Sequence, residues 1–240
     1  MNDQNHHYYQ KIVKILCPHC SFPCPLQIKY CSKCGEPLPE YHLLNDLDNS
    51  KSFLQNHTPE KNVISIIERE IQKHIPLLDE LKPNITGYIC ENGDITGLSL
   101  FKCGLREIPL KVMMLKTLKK LFLRRNNIKE LPEFIGFLSN LEMLDLRINE
   151  IKSLPSSIGL LYNLKYLNLS SNNLFSLPNS IGNLTTLIKL NLNNNKLKFI
   201  PNSIGNLKFL KKLKIKANFW IILPESVKFM LKNGSIIIEN

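Results

Sequence analysis

Apolar residues recur along most of this chain in a pattern with a period of 23 residues. Written from Leu118, the unit reads L-x-x-L-x-L-x-x-N-x-I-x-x-L-P-x-x-I-G-x-L-x-x, with leucine and isoleucine interchanging, and it recurs four times without a gap to Phe209. Ile95 begins a unit before this array, and Leu210 begins another after it. A fixed period of this length predicts a solenoid, because a single unit cannot bury its own leucines and stacked units can.

The first half of each unit predicts a short strand. Its L-x-L segment points alternate side chains inward, and the asparagine that follows stands where the chain leaves the strand. An unpaired buried amide costs about 1–3 kcal/mol, so we expect these side chains to bond the backbones of neighbouring units as a ladder. Cys103 takes this place in the first unit, where we expect a small buried group. The asparagines of the ladder are Asn126, Asn149, Asn172, Asn195 and Asn218.

The second half of each unit predicts a reversal of the chain. Leu-Pro closes the strand side, and Ile-Gly-x-Leu is expected to form a short helical or 3₁₀ turn. Proline occurs at this place in all six units and glycine in four of them.

The segment before the repeats predicts a capping helix and a hairpin. Thr58 supplies a capping hydroxyl and Pro59 suits the first helical position. The apolar residues Val63 to Ile75 follow at helical spacing, so we expect an amphipathic helix that ends near Pro76. Its apolar stripe fits a partner's groove or a membrane surface as well, but a cap on the first repeat is the favoured role. A strand over 87–91, a turn at 92–93 and a strand over 94–101 would then cover the sheet edge.

The end of the chain resembles a shortened repeat. Residues 224–232 predict a short helix, 233–234 a turn, and 235–239 a strand. Counting by the repeat period from Leu210 gives Ile236 and Ile238 the inward places.

Four cysteines near the N terminus stand at metal-ligand spacing. Cys17 and Cys20 form one C-x-x-C pair, Cys31 and Cys34 form the other, and ten residues separate the pairs. Four thiolates at this spacing fit a tetrahedral Zn²⁺ with no open position for water, so the predicted metal is structural.

Residues 12–39 resemble the zinc-ribbon modules found at the ends of many proteins, although Ser21 stands where the first pair is often followed by glycine. Cys24 and His19 are alternative ligands. A redox C-x-x-C pair is a further alternative, and it lacks the expected βα context.

Charge is divided unevenly along this chain of net charge +11. Residues 1–94 carry 9 Lys+Arg and 12 Asp+Glu, whereas residues 95–240 carry 22 and 8. The basic part fits an acidic partner or nucleic acid, and a general abundance of lysine is the other explanation. No apolar run approaches the ~18–20 residues of a membrane span. With no signal-peptide core and seven cysteines, we expect a cytoplasmic protein without membrane contact.

The L-P-x-x-I-G-x-L form of the repeat resembles the leucine-rich repeats of the Ras-suppressor and plant intracellular Ras-group class, over about residues 60–240. The resemblance implies a curved α/β solenoid, with a parallel sheet on its concave side and short helical or 3₁₀ turns on its convex side. It also implies a partner protein on the concave face, and the family suggests a small GTPase. The fold alone does not specify the partner.

The outward side chains around the strands are the candidate partner contacts. Counting places the third, fifth, seventh and eighth residues of each unit on this face. Aromatic residues and arginines gathered there have the composition of a protein-binding hot spot. An alternative is that the two phenylalanines pack against each other or under the N-terminal ribbon. The candidates are Phe101, Phe122, Arg124, Asp145, Arg147 and Tyr166.

These patterns divide the chain into successive segments. We expect a disordered tail over 1–11, a zinc ribbon over 12–39, a linker over 40–57, a capping helix and hairpin strand over 58–94, six repeats over 95–232, and a truncated seventh repeat over 233–240.

The sequence therefore predicts a non-enzymatic protein-interaction scaffold. The alternative is a nucleic-acid-binding protein that uses the zinc ribbon and the basic repeats, with aromatic stacking and phosphate contacts. An enzyme is the third hypothesis. None of the six histidines lies beyond His74, so the repeats offer no imidazole for acid–base catalysis.

Overall fold

The repeating units stack their strands into one eight-stranded sheet in the computed structural model of this chain. The structure describes residues 14–16, 23–25, 59–218 and 221–239. The chain divides into two compact units, Met1–Asn56 and His57–Asn240.

In the first unit the structure describes two short strands. β1 (Lys14–Leu16) and β2 (Pro23–Pro25) pair antiparallel, with Leu16 opposite Pro23 and Ile15 opposite Cys24. The predicted tail over 1–11 and linker over 40–57 lie outside the described residues. So do the predicted zinc ligands Cys17, Cys20, Cys31 and Cys34.

The second unit begins with helix α1 (Pro59–Ile71). Its apolar side is buried at Val63 and Ile67 and contacts a 3₁₀ turn of the first repeat. The helix ends at Ile71 and not near Pro76, because Gln72 adopts a left-handed backbone with φ 51°. Ile75 is still buried, but it reaches the core from the loop, where its N–H donates to Glu68 Oε1 at 2.7 Å.

A hairpin follows and covers one edge of the sheet. β3 (Gly87–Glu91) and β4 (Asp94–Ser99) pair antiparallel, and β4 ends two residues earlier than the predicted 101. Asn92 and Gly93 both have positive φ, 54° and 91°, which is the geometry of a tight two-residue hairpin turn.

From β4 to β10 every neighbouring pair of strands is parallel, so the predicted parallel sheet is confirmed. The strands of the next repeats are β5 (Lys120–Phe122), β6 (Met143–Asp145), β7 (Tyr166–Asn168), β8 (Lys189–Asn191) and β9 (Lys212–Lys214).

The predicted helical turns are 3₁₀ helices. They cover Leu110–Met114, Glu133–Phe137, Ser156–Leu160, Asn179–Asn183 and Asn202–Asn206. Their glycines permit close stacking, since a Cβ at Gly182 would collide with the carbonyl of Ser203.

The asparagine ladder forms as predicted. Asn172 Oδ1 accepts from the Ile151 N–H, and Asn172 Nδ2 donates to the carbonyls of Leu146 and Leu169, all at 3.0 Å. The equivalent side chains at the other four places make the same pattern of bonds. Cys103 differs from the prediction because it is half-buried, with its thiol 3.5 Å from the carbonyl of Phe101.

The last step of the solenoid departs from the repeat period. Helix α2 (Glu225–Lys232) leads to β10 (Ile237–Glu239), where Ile238 pairs with Leu213, 25 residues earlier. The predicted register of Ile236 and Ile238 is therefore wrong by two residues. A shift of two residues keeps the same face of a strand, and Ile236 is buried, as predicted. The reason is that α2 has eight residues where the 3₁₀ helices have five.

Candidate interaction groove on the sheet

Two rows of side chains run across the outward face of the sheet, perpendicular to the strands. The rows arise because equal positions of successive repeats pair in register, and paired residues in a parallel sheet point to the same side. The third-place row is Lys120, Met143, Tyr166, Lys189 and Lys212. The fifth-place row is Phe122, Asp145, Asn168, Asn191 and Lys214.

These rows line a depression of about 550 Å³, which we call the sheet groove. At its N-terminal end the groove is also lined by Leu81 and Pro83, from the loop between α1 and β3. Leu81 lies against the sheet at Gly97, where an added Cβ would come within 2.8 Å of the leucine Cδ2. The loop therefore forms an apolar wall that the repeat periodicity gave no means of placing.

Four of the six candidate residues line the sheet groove, namely Phe122, Asp145, Arg147 and Tyr166. Phe101 and Arg124 are not part of its lining. Phe122 is only 5% exposed, so the expectation that this aromatic side chain is exposed is wrong. Asp145 is only 6% exposed, although it too stands at an outward position. Phe122 forms part of the floor of the groove, whereas Arg147 and Tyr166 are partly exposed.

Asp145 and Arg147 form an ion pair within the groove wall. Arg147 Nη2 and Nε each lie 2.8 Å from Asp145 Oδ2, and the Arg147 N–H donates to Asp145 Oδ1 at 3.1 Å. Burial raises the pKa of Asp145 above its ordinary value, and the hydrogen bonds and charge of Arg147 act in the opposite direction. The sequence suggests Asp145 as a partner contact, but its carboxylate is bound to Arg147 within the chain.

Phe101 and Arg124 pack together beside the groove. The guanidinium carbon of Arg124 lies 5.8 Å from the centre of the Phe101 ring, within cation–π range. Arg124 Nε is buried without a hydrogen-bond partner among the described atoms. The backbone of Phe101 is fixed by Thr86, whose hydroxyl donates to the Phe101 carbonyl at 2.8 Å.

Tyr166 is the partly exposed aromatic side chain near the middle of the groove. Lys189 Nζ lies 5.4 Å from the centre of its ring, so the ammonium group covers part of that face. Met143 is the neighbour of Tyr166 on the other side, in register on β6. Counting positions within the unit also places Met143 and Lys189 on this face, although neither was among the six candidate contacts.

The described lining of the groove is strongly basic. Five of its residues are cations, and Asp145, already paired with Arg147, is its one acid. The cations are Lys120, Arg147, Lys189, Lys212 and Lys214.

Within the described part of the chain, no group of three or more His, Cys, Asp or Glu side chains is arranged to hold a metal ion. Over the same residues, no helix has the length and apolarity needed to cross a membrane.

The solved structures that resemble this fold include the following three. A leucine-rich repeat protein of Leptospira interrogans is 34% identical with a TM-score of 0.47, covering 60% of this chain and 41% of its own. PEPR1-AtPEP1 is 27% identical with a TM-score of 0.57, covering 74% and 28%. A TDR receptor is 34% identical with a TM-score of 0.48, covering 55% and 23%. This chain thus spans less than half the length of each of these proteins.

No curated protein matches the sequence. The family described as "Leucine-rich repeat region" matches residues 98–218, which is half of the chain. These residues contain strands β5 to β9 and the complete asparagine ladder. The chain belongs to the leucine-rich repeat family.

Proposed function

We propose that this protein is a non-enzymatic interaction scaffold that binds a partner protein in the sheet groove, on the concave face of its solenoid. The observation that carries the proposal is the groove itself. Two in-register rows of side chains line a depression of about 550 Å³, and its apolar floor and partly exposed Tyr166 and Arg147 have the character of an interaction hot spot.

Two further observations support a binding role. The groove residues are held in place before any partner arrives, since Asp145 fixes Arg147 and the ladder fixes the turns after the strands. Such preorganisation lowers the entropic cost of association. The similarity to PEPR1-AtPEP1, a structure whose name joins two molecules, is consistent with a binding role.

The resemblance to the Ras-group repeats makes a small GTPase one candidate partner. The cytoplasmic location likewise remains a prediction of the sequence.

The test compares two tyrosines that differ in position. Tyr166 lies in the groove, whereas Tyr162 is 53% exposed and is not part of the groove lining. Partners are captured from a cell lysate with the intact protein, identified, purified and titrated against Tyr166→Ala and Tyr162→Ala. We expect Tyr166→Ala to weaken binding by about 2 kcal/mol, roughly 30-fold, and Tyr162→Ala to leave it unchanged. Equal affinities for both variants would contradict binding in the groove.

We also propose that Cys17, Cys20, Cys31 and Cys34 hold one structural Zn²⁺. The donor set supports this, because four thiolates suit Zn²⁺ and leave no position for a reacting water. The pairing of Leu16 with Pro23 supports it too, since it brings together the two ends of the segment that contains the first cysteine pair. When bound, such a metal supplies folding free energy to a module too small to have its own core.

Metal analysis of protein purified without chelator tests this proposal. We expect about one zinc per chain, and loss of that zinc when Cys31 and Cys34 are both replaced by serine. Cys103→Ser is the matched control, because Cys103 lies in the repeats. Zinc far below one per chain, or zinc retained by the double variant, would exclude this ligand set.

A further inference from the structure

We infer that the sheet groove selects an extended acidic segment of its partner, with an apolar side chain at the Leu81 end and carboxylates at the Lys189 end. This inference rests on the proposed function and adds the chemistry of the partner to it.

The charge of the groove is the first argument. Among the side chains that the structure describes, five cationic residues and one carboxylate line the groove, and that carboxylate is paired with Arg147. Lys189 is exposed on β8. A basic partner would bring like charges together, whereas an acidic partner supplies the complementary potential that favours association and excludes wrong partners.

The two ends of the groove differ in chemistry. The end at β5 and β6 has an apolar surface made by Leu81, Pro83, Phe122 and Met143, and Lys120 and the paired Asp145 and Arg147 line the same end. Lysines occupy the third place on both β8 and β9. Along the third-place row from β6 to β9, an occupant therefore meets Met143 and Tyr166 first and Lys189 and Lys212 afterwards.

The spacing of the strands sets the spacing within the occupant. Neighbouring strands lie ~4.8 Å apart, so Met143 on β6 and Lys212 on β9 are separated by about three such steps, ~14 Å. An extended chain advances ~3.3 Å per residue. The apolar side chain and the acidic side chains should thus be about four residues apart.

The middle of the groove offers donors for an extended backbone. Asn168 and Asn191 each use Oδ1 to accept from the N–H of the residue two places on, at 3.1 Å. This arrangement directs the NH₂ group of each amide to other acceptors, and the carbonyls of an extended peptide match such donors.

The aromatic side chains argue against single-stranded nucleic acid as the occupant. Binding of single strands relies on bases stacked on open aromatic faces. Phe122 is almost fully buried, Lys189 covers part of the Tyr166 ring, and Arg124 lies over Phe101. The described groove therefore supplies the positive charge without the stacking surface.

Fluorescence anisotropy with the intact protein tests the inference. The probe is a labelled peptide with two leucines, a short serine spacer and a run of glutamates. A peptide with lysines in place of the glutamates and labelled oligothymidylate are the comparisons. We expect the acidic peptide to bind at least about tenfold more tightly than either. Equal or weaker binding of the acidic peptide, or no peptide binding, overturns the inference.

Two charge reversals locate the effect. Lys189→Glu should weaken binding of the acidic peptide by about tenfold or more, whereas Lys208→Glu, an exposed lysine that is not part of the groove lining, should not. Equal effects of the two variants would mean that net charge alone attracts the peptide, and the inference would fall.

The captured partner separates the two proposals. If its binding depends on Tyr166 but is unaffected by Lys189→Glu and by neutralising its acidic segments, the inference fails and the proposed function stands. If its binding does not depend on Tyr166, the proposed function fails.

Discussion

One residue in each repeat has a left-handed backbone, directly before the ladder position. All six have φ between 51° and 58°. Most L residues are strained there, and a β-branched side chain is the least suited, whereas asparagine tolerates it. The residues are Lys102, Arg125, Ile148, Ser171, Asn194 and Ala217.

This geometry makes a reciprocal prediction for Ile148 and Asn194, which occupy equivalent places. Ile148→Asn should raise the free energy of unfolding by about 1 kcal/mol, because it removes a β-branched side chain from the left-handed region. Asn194→Ile should lower it by a similar amount. Urea denaturation of the two variants measures both. Changes of the same sign would show that side-chain burial and not backbone strain decides the outcome at this place.

Arg147 illustrates how the groove depends on charge at the residue scale. Its replacement by alanine leaves the buried carboxylate of Asp145 without its counter-ion, which should cost about 1–3 kcal/mol at neutral pH. We expect a cost at the lower end of this range, because the Arg147 side chain is 30% exposed and water can partly solvate the Asp145 carboxylate in its place.

The same variant should respond to pH. Loss of the Arg147 side chain removes its charge and its side-chain hydrogen bond, whereas the backbone hydrogen bond of residue 147 and the charge of Arg124 still lower the pKa of Asp145. This pKa, already raised by burial, therefore rises further. The folded variant then binds a proton more readily than the unfolded chain does. Its stability should increase as the pH falls through that raised pKa, and its deficit relative to the wild type should shrink.

Urea melts at neutral and acidic pH check the Arg147 prediction. Arg147→Ala with Asp145→Asn should restore stability at neutral pH, and Arg106→Ala, an exposed arginine, is the control. A deficit that is independent of pH and persists in the double variant would assign the loss to packing.

At the scale of elements, the ladder connects each strand to the next. The Asn172 side chain accepts a hydrogen bond from the Ile151 N–H and donates to the carbonyls of Leu146 and Leu169. It thus joins its own repeat, through Leu169, to the preceding one. Asn172→Ala should leave these buried groups unpaired and cost at least about 2 kcal/mol. Asn127→Ala should be nearly neutral, since that amide is exposed and bonds Glu150 at 3.2 Å. Equal losses for the two variants in denaturant melts would contradict the ladder's role.

The elements that the sequence predicted well are those whose signal repeats. The strands, the ladder and the 3₁₀ turns recur in successive units, so several separate stretches of sequence support the same prediction. The end of α1 at Ile71 depends on the single left-handed residue Gln72, for which the sequence offers neither glycine nor proline. Likewise, the longer last helix displaces β10 by two residues, and the 23-residue repeat pattern gives no indication of this displacement.

The groove was predictable in outline and not in detail. Position within the unit identified the outward rows, because register in a parallel sheet follows from the repeat. Exposure depends on what lies above each residue, and the loop that carries Leu81 comes from outside the repeats. The burial of Phe122 and Asp145 could therefore not be obtained by counting.

At the scale of the whole molecule, each repeat contacts mainly its two neighbours. The stability of such a stack is close to a sum of repeat and interface contributions. Consecutive repeats have equivalent interfaces, because the leucines, the asparagine and the glycine recur at the same places. One internal unit should thus be removable if the cut preserves the register.

Deletion of residues 164–186 removes one complete unit, so that Leu187 follows Asn163 and β8 pairs with β6. Asn195 would then bond the carbonyl of Leu146 in place of Asn172. We expect a monomeric protein with cooperative unfolding, lower stability and a strand-rich circular dichroism spectrum. Binding of the partner should be lost, because Tyr166 and Asn168 leave the groove.

Deletion of residues 164–183 is the matched control, because it removes the same strand but only 20 of the 23 residues of the unit. The remaining residues displace the leucines from their inward places, and a strand out of register exposes its apolar face. We expect this protein to aggregate or to lack a cooperative transition. If both deletions fold equally well, the repeat period does not control the packing. If the complete-unit deletion folds and still binds the partner, the binding surface lies outside the sheet groove.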